Sequence, residues 1–398
     1  MNFVKNFIQT QNITSIDQLE EILKKEQYNL KLKKFKNNEL MIIVHEENTN
    51  LNEELCQHIH GVIIDPELNT IRYTSKKAYE NEENKKEVCE LIDKQNAIIT
   101  PIIDGTFISV YKYQGKIYYS TKKALEARLS RWQNNKNFEQ LFKEAVNDVN
   151  FESFIQENYT YNFILCSKEN SNIVSYEESK VVLLNVIEFN NKTNIETEFF
   201  NELLLNPNIQ YIENMKISNI EEFFNENDKE KLDYLGVYIT DFNNSQKIYF
   251  DNYIKLKAIL PNNHDINYTF LTLRKNKYML EMYLNNNPNK KELFKNFETN
   301  ICHFVTYIHK LYMTMRVKKE QIVIPEFIRT TLYKIHGIYL TTKNPITLNV
   351  IFNHLNILHE KQLYVLLKKY NTFLNQSNNS ADVEMSESQE LEHLNSMV

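Results

Sequence analysis

The stretch TPIIDGTFISVYKYQGKIYYSTKKAL, Thr100 to Leu125, holds two of the five glycines in this 398-residue chain. β-Branched and aromatic residues fill FISVYKY and KIYYST, and Gly105 and Gly115 stand where the runs break. The stretch therefore reads as short strands joined by tight turns. Glycine is used where the backbone needs a positive φ or a close approach, so two of five within ten residues mark a backbone under special demand. The Asp-Gly pair follows Ile102 and Ile103, two apolar side chains, rather than a charged group.

The same texture extends outward. From Leu40 to about Leu256 short runs such as LMIIVHE, HGVIIDPELNTIRYTS, YNFILCS, KVVLLNVIEF and GVYITDFNNSQKIYF alternate with turn residues. Helical pieces are expected at Ala124–Trp132 and Asn137–Val146, and residues 1–40 carry helical spacing at Ile16, Leu19, Ile22 and Leu23. Beyond Pro261 the strand texture ends. Phe294, Phe297, Ile301, Phe304, Val305, Ile308 and Leu311 follow one helical face; Pro325 opens a further helix that Gly337 is placed to end, and Pro345 opens another. The fold class is α+β, antiparallel sheets with flanking helices, followed by an all-helical C-terminal domain. The expected domains are 1–258, 259–376 and an acidic, disordered tail at 377–398.

Composition sets limits. No apolar run approaches the ~20 residues of a membrane span, and there is neither a G-x-G-x-x-G nor a P-loop. Cys56, Cys89, Cys166 and Cys302 lack metal spacing, which suits a reducing, cytoplasmic setting and no metal site. Lysine outnumbers arginine 40 to 6, with much Asn, Ile and Tyr, as in AT-rich coding sequences. The net charge of −6 is divided unevenly: Leu260–Gln376 carries 16 Lys and Arg against 7 Asp and Glu, while Ser377–Val398 carries five acids and no Lys or Arg. A basic helical domain on an acidic protein points to a polyanionic partner.

Four segments share an order and spacing: His60–Asn81, Thr100–Leu125, Tyr159–Asn194 and Tyr234–Lys257. Together they resemble the phage-type ATP-dependent RNA ligases of tRNA repair, members of the covalent nucleotidyltransferases. The third segment is the most specific, with Asn162-Phe163, Ile173-Val174, Tyr176 and Leu183-Leu184-Asn185-Val186 at matching places. Gly61, Gly105 and Gly236 fall on the family's motif glycines. The likeness covers roughly residues 40–258.

The resemblance also shows what is missing. The family's K-x-D-G lysine, which attacks the α-phosphate of ATP, is Ile102 here; a nucleophile needs a lone pair. Ile164 stands for a motif glutamate, Leu235 for the metal-side glutamate, Tyr249 for the second lysine of K-x-K and His60 for an arginine. A second register would place the lysine pair at Lys255 and Lys257. The resemblance implies a nucleotidyltransferase-like domain with an emptied site, no catalytic residue and no metal ligand. Asp104, Gly105, Lys77, Lys122, Gly236 and Lys247 are the remnant nucleotide pocket. RNA contacts are expected from Arg274, Lys275, Lys277, Lys291, Lys295, Arg316, Lys318, Lys319, Lys368 and Lys369.

The implied function is that of a non-catalytic protein binding tRNA or other structured RNA, with no cofactor, no membrane and no DNA partner. Shielding tRNA from an anticodon nuclease would suit an immunity factor of a selfish cytoplasmic element such as a killer plasmid. The alternatives are a divergent active ligase using ATP and magnesium, and an interaction scaffold of a viral RNA-processing complex.

Overall fold

The computed structural model describes residues 3–35, 38–73, 78, 97–131, 135–169, 173–188, 203–240, 245–260 and 265–378. Lys77, and the expected tail from 379 onward, lie outside the described residues. The chain divides into two compact units, Met1–Lys255 and Leu256–Val398.

The first unit is α+β. Helices α1 (Phe3–Thr10) and α2 (Ile16–Leu23) precede strands β1 (Leu30–Phe35) and β2 (Asn38–His45). The helical texture expected through residue 40 therefore stops at Leu23. Leu30 and Leu32 alternate with exposed lysines, and the period of two pairs β1 with β2 instead. After α3 (Glu54–Ile59), β3 (Ile63–Ile64) and β4 (Thr70–Arg72) complete a sheet in the order β1-β2-β3-β4. Strand β5 (Ile98–Pro101) belongs to a second sheet, whereas β6 (Thr106–Tyr113) and β7 (Lys116–Ser120) belong to a third. Gln114 and Gly115 both have positive φ, as a two-residue hairpin turn requires. The helix expected at Ala124–Trp132 is reduced to one 3₁₀ turn at Ala127–Leu129. Thr121 accepts the backbone of Lys123 and Ala124, and Ser120 holds the Leu125 carbonyl, so local side chains outcompete the helix.

Helix α4 (Phe138–Val146) begins at a reciprocal cap between Asn137 and Gln140. Strands β8 (Tyr159–Cys166), β9 (Lys180–Glu188) and β10 (Ile209–Tyr211) then finish the five-stranded sheet, ordered β10-β9-β8-β6-β7. Its pairings are antiparallel apart from β9 with β10. One face buries Ile108, Val110, Phe163, Leu165, Val181 and Leu183 against α4. The other meets the four-stranded sheet around Tyr111, Leu40 and Ile42. Helix α5 (Ile220–Asn227) lies before β11 (Gly236–Thr240) and β12 (Ser245–Tyr249), which form the small sheet β12-β11-β5. Helix α6 (Asp251–Ile259) carries the chain across the unit boundary.

The second unit is helical: α7 (Ile266–Leu273), α8 (Lys277–Asn286), α9 (Lys291–Tyr312), α10 (Glu326–Thr342), α11 (Leu348–Ile357) and α12 (Glu360–Asn378). Phe294, Ile301, Phe304, Val305 and Ile308 form the buried stripe of α9. A π-helical turn, Met313–Val317, extends it. Gly337 does not end α10. The helix runs through it to Lys343, which closes the last turn in the left-handed region at φ 56°.

Candidate functional site

Residues Ile102–Gly105 are the crossing between two sheets: β5 of the small sheet ends at Pro101 and β6 of the large one starts at Thr106. The crossing is held at both ends. Ile102 N–H donates to the Gly236 carbonyl at 2.8 Å, and Leu235 N–H donates to the Ile102 carbonyl at 2.8 Å. Gly105 lies so close to β8 that a Cβ there would sit 2.5 Å from Ile164 Cγ2 and 2.6 Å from the Leu165 oxygen. Gly236, at φ +148°, packs against β12; its Cβ would meet the Ile248 oxygen at 2.1 Å. Both glycines are required by close backbone approach.

Asp104 ties the crossing to a loop 70 residues further on. Its Oδ2 accepts the backbone N–H groups of Ile173 at 2.7 Å and Val174 at 2.9 Å. The Asp104 carbonyl in turn accepts the Tyr176 hydroxyl at 2.6 Å. Burial pushes the Asp104 carboxyl above its usual range, while the two backbone donors oppose that shift. The separated motif pieces Asp104, Ile173-Val174 and Tyr176 are thus one clamp, and this carboxylate is already engaged by the fold.

Around the clamp the side chains are apolar. Ile102, Ile173, Tyr176 and Tyr249 pack against buried Val174, Leu235, Phe250 and Tyr253. Ile103 and Ile164 join an adjoining cluster with Cys166 and Val182. Tyr249 lies opposite Gly236 across the β11–β12 ladder, its ring 4.9 Å from Tyr253. Lys247 shares a strand face with Tyr249 and lies opposite Tyr238. In the second register Lys255 and Lys257 lie on α6, a helix, whereas Lys247 and Tyr249 are on a strand.

A hard divalent ion requires several oxygen ligands. Ile102, Ile164, Leu235 and Tyr249 offer no carboxylate, and Asp104 is held by two backbone donors. Among the described residues no group of three or more His, Cys, Asp and Glu is arranged to hold a metal. These five described side chains do not by themselves make a magnesium site.

Two basic side chains, Arg72 of β4 and Lys122, meet over Phe107 of β6. Arg72 is 0% exposed. Its Nη1 donates to the Thr121 carbonyl at 2.8 Å, while Nε and Nη2 have no hydrogen-bond partner among the described residues. Arg72 and Lys122 both lie over the Phe107 ring, 5.8 and 4.9 Å from its centroid. Desolvation lowers Arg72 to about 10. His60 Nδ1 accepts the His45 backbone N–H at 3.0 Å, which puts the neutral ring's proton on Nε2. Burial first, then His45, Lys122, Lys123 and Arg72, push His60 down to about 3. Beyond Phe107, Ser109 donates to Asn162 at 2.6 Å and Asn162 to Asn185 at 2.8 Å, a polar line across three strands. The sequence named Asn162 and Asn185 only as motif matches and missed Arg72, Phe107 and Ser109. The available signal was an arginine among far more numerous lysines, inside a β-branched run.

In the helical unit Lys277, Lys291, Lys295, Arg316, Lys318, Lys319, Lys368 and Lys369 are exposed. Arg274 is half-buried, its guanidinium bonded to Asn356 and 5.8 Å from the Phe352 ring centroid. Lys275 is committed to Glu360 at 2.8 Å and to the Leu358 carbonyl at 3.1 Å. Both contacts tie the end of α7 to the α11–α12 region, and Lys275 is exposed.

No protein-family profile matches the chain. It is 23% identical over 283 residues to the immediate-early protein ICP-46 homolog of Invertebrate iridescent virus 6, which covers 62% of this chain and 59% of that protein. The chain thus spans less than two thirds of this viral relative. Among solved structures it is similar to a provisionally named ATP-dependent DNA ligase of Aquifex aeolicus, with a TM-score of 0.41 and 13% identity over 71% of this chain and 76% of that one. A Naegleria gruberi RNA ligase with AMP and manganese aligns with a TM-score of 0.36 and 13% identity, over 46% of this chain and 57% of its own. These neighbours are nucleic-acid ligases at low identity. Among the described residues, no helix is long and apolar enough to cross a membrane.

Proposed function

We propose that this chain is a ligase-like protein that binds structured RNA, tRNA foremost, without sealing it. The observation that carries the reading is Ile102. It occupies the crossing where the resembling family has its nucleophilic lysine, and it packs in a cluster with Leu235, Tyr249, Ile173 and Tyr176. A phosphoramidate needs an amine. The retained clamp and glycines keep the backbone of that crossing, while the exposed basic residues of the helical unit supply the contact with phosphates. Protection of the anticodon loop from a nuclease is the biological role that fits a binder of this kind.

The test has two arms. Incubation with α-labelled ATP and magnesium is expected to leave no label on the denatured protein; an acid-labile labelled band identifies an active ligase and overturns the reading. Titration with tRNA at low salt is expected to show binding that falls steeply as salt rises, because each neutralised phosphate releases counterions. Absence of tRNA binding hands the chain to the interaction-scaffold alternative.

A further inference from the structure

The second unit holds an open cavity of about 890 Å³ where the end of α9, its π turn, the C-terminal half of α10 and the start of α11 converge. That volume lies in the range of ~300–1,000 Å³ typical of small-molecule sites. Its lining divides by chemistry. One side is an aromatic shelf: His336 and Tyr339 are stacked at 5.8 Å and 20°, and Tyr312 bonds His336 Nδ1 through its hydroxyl at 3.2 Å. Tyr312 is buried and fixed, whereas Tyr339 is 39% exposed and faces outward. The other component is cationic. Arg316 comes from the π turn, Lys343 from the left-handed cap of α10, and no Asp or Glu lines the cavity. Neither cation has an ion-pair partner among the described residues.

Two features of the backbone are spent on this arrangement. The π turn that follows α9 carries the exposed Arg316, and such turns recur at functional sites. Lys343 adopts φ 56°, which brings the chain into the Pro345–Thr347 segment of the cavity wall. A planar, exposed aromatic shelf beside two unpaired cations matches the two parts of a nucleotide. Bases splayed from single-stranded RNA stack on Tyr and His rings, and their phosphates pair with Arg and Lys.

We infer that this cavity binds an unpaired nucleotide of an RNA strand, its base on the Tyr339–His336 shelf and its phosphate between Arg316 and Lys343. The inference deepens the proposed function and rests on it, since it assigns RNA binding to one place and to unpaired residues. Of the basic residues expected from sequence, Arg316 alone lines the cavity; Tyr312, His336, Tyr339 and Lys343 enter through the structure.

The experiment uses the full chain and a stem–loop RNA, with the same stem fully paired as the comparison. Tyr339→Ala is expected to weaken stem–loop binding about tenfold or more, as loss of one base–aromatic stack does, while Tyr339→Phe binds like the natural protein. Arg316→Ala is expected to weaken binding and reduce the salt slope by about one. Stem–loop RNA carrying 5-iodouridine in its loop is expected to cross-link to Tyr339, Tyr312 or His336 on irradiation, with the site read by mass spectrometry. The inference is overturned, and RNA binding as such stands, if the stem–loop binds but the variants match the natural protein and the cross-links fall elsewhere. Displacement of the RNA by an equal concentration of free mononucleotide replaces the RNA strand with a soluble nucleotide as occupant and also overturns it. If no RNA binds at low salt, this inference and the proposed function fail together.

Discussion

Replacing Arg72 with methionine removes a charge from the interior of the first unit, and the structure says the fold gains nearly as much as it loses. The guanidinium is 0% exposed, has one hydrogen bond to the Thr121 carbonyl at 2.8 Å, and leaves Nε and Nη2 without hydrogen-bond partners among the described residues. Each unsatisfied buried donor costs roughly 1–3 kcal/mol. Against that relief stand the charged hydrogen bond, worth about 1.5–3 kcal/mol, and the contact with the Phe107 face, worth roughly 0.5–2 kcal/mol. Methionine fills similar space with a flexible apolar chain. The expected change in unfolding free energy is therefore within ~1 kcal/mol of zero, far from the ~3–5 kcal/mol lost when one partner of a buried ion pair is removed. Arg72→Lys is the sharper companion. A compact ammonium is more strongly hydrated than guanidinium and loses the fork that reaches Thr121, so the lysine variant is expected to be less stable than both the natural protein and the methionine variant. Urea denaturation followed by circular dichroism ranks the three. A loss of ~3 kcal/mol or more in Arg72→Met, the size of a broken buried ion pair, would refute the account of an arginine without a countercharge.

Further outcomes follow from the same geometry. Gly337→Ala is expected to stabilise the second unit by up to about 1 kcal/mol, since the position is inside α10 and nothing lies within 4 Å of an added Cβ; thermal melting checks it. Gly236→Ala is expected to destabilise the first unit by at least ~1–3 kcal/mol as overpacking does, because its Cβ would sit 2.1 Å from the Ile248 oxygen at φ +148°. His60 is lowered from 6.5 to about 3, so between those values the unfolded chain binds a proton that the fold refuses. Stability rises with pH across that window and is lost as pH falls through it, at up to about 1.4 kcal/mol per pH unit; His60→Gln should flatten this limb in denaturation measured from pH 7 to pH 4. Ile102→Lys is expected to form no adduct with labelled ATP. The carboxylate at 235 and the lysine at 249 are still absent, and each such electrostatic contact is worth roughly 2.7–4 kcal/mol in a transition state; an acid-labile labelled band on this variant refutes that sum.

What the sequence disclosed depended on how local the cause was. The hairpin at Gln114-Gly115 and the buried stripe of α9 follow from turn chemistry and periodicity, and both were readable. Gly337 misled because glycine at the end of a periodic run is a common stop, whereas here the helix runs on past its last buried residue, Ile335, to a left-handed cap at Lys343. The helix expected at Ala124–Trp132 failed for a related reason: Ser120 and Thr121 hold the chain in turns that no periodicity reveals. The motif order pointed to Ile102, Asp104 and Leu235, but not to what Asp104 does, because Ile173 and Val174 reach it from a distant loop. The bond from Arg274 to Asn356 was equally hidden, since the two lie 82 residues apart.

The clamp at Asp104 makes the crossing between the two sheets self-supporting. Its bonds run entirely between parts of the chain, so the crossing keeps its shape with no substrate to organise it. The side chains at 102, 164, 235 and 249 pack in the apolar clusters beside the crossing and take no part in these bonds. A laboratory attempt to install chemistry at this crossing would start with its backbone already tied in place by the chain itself.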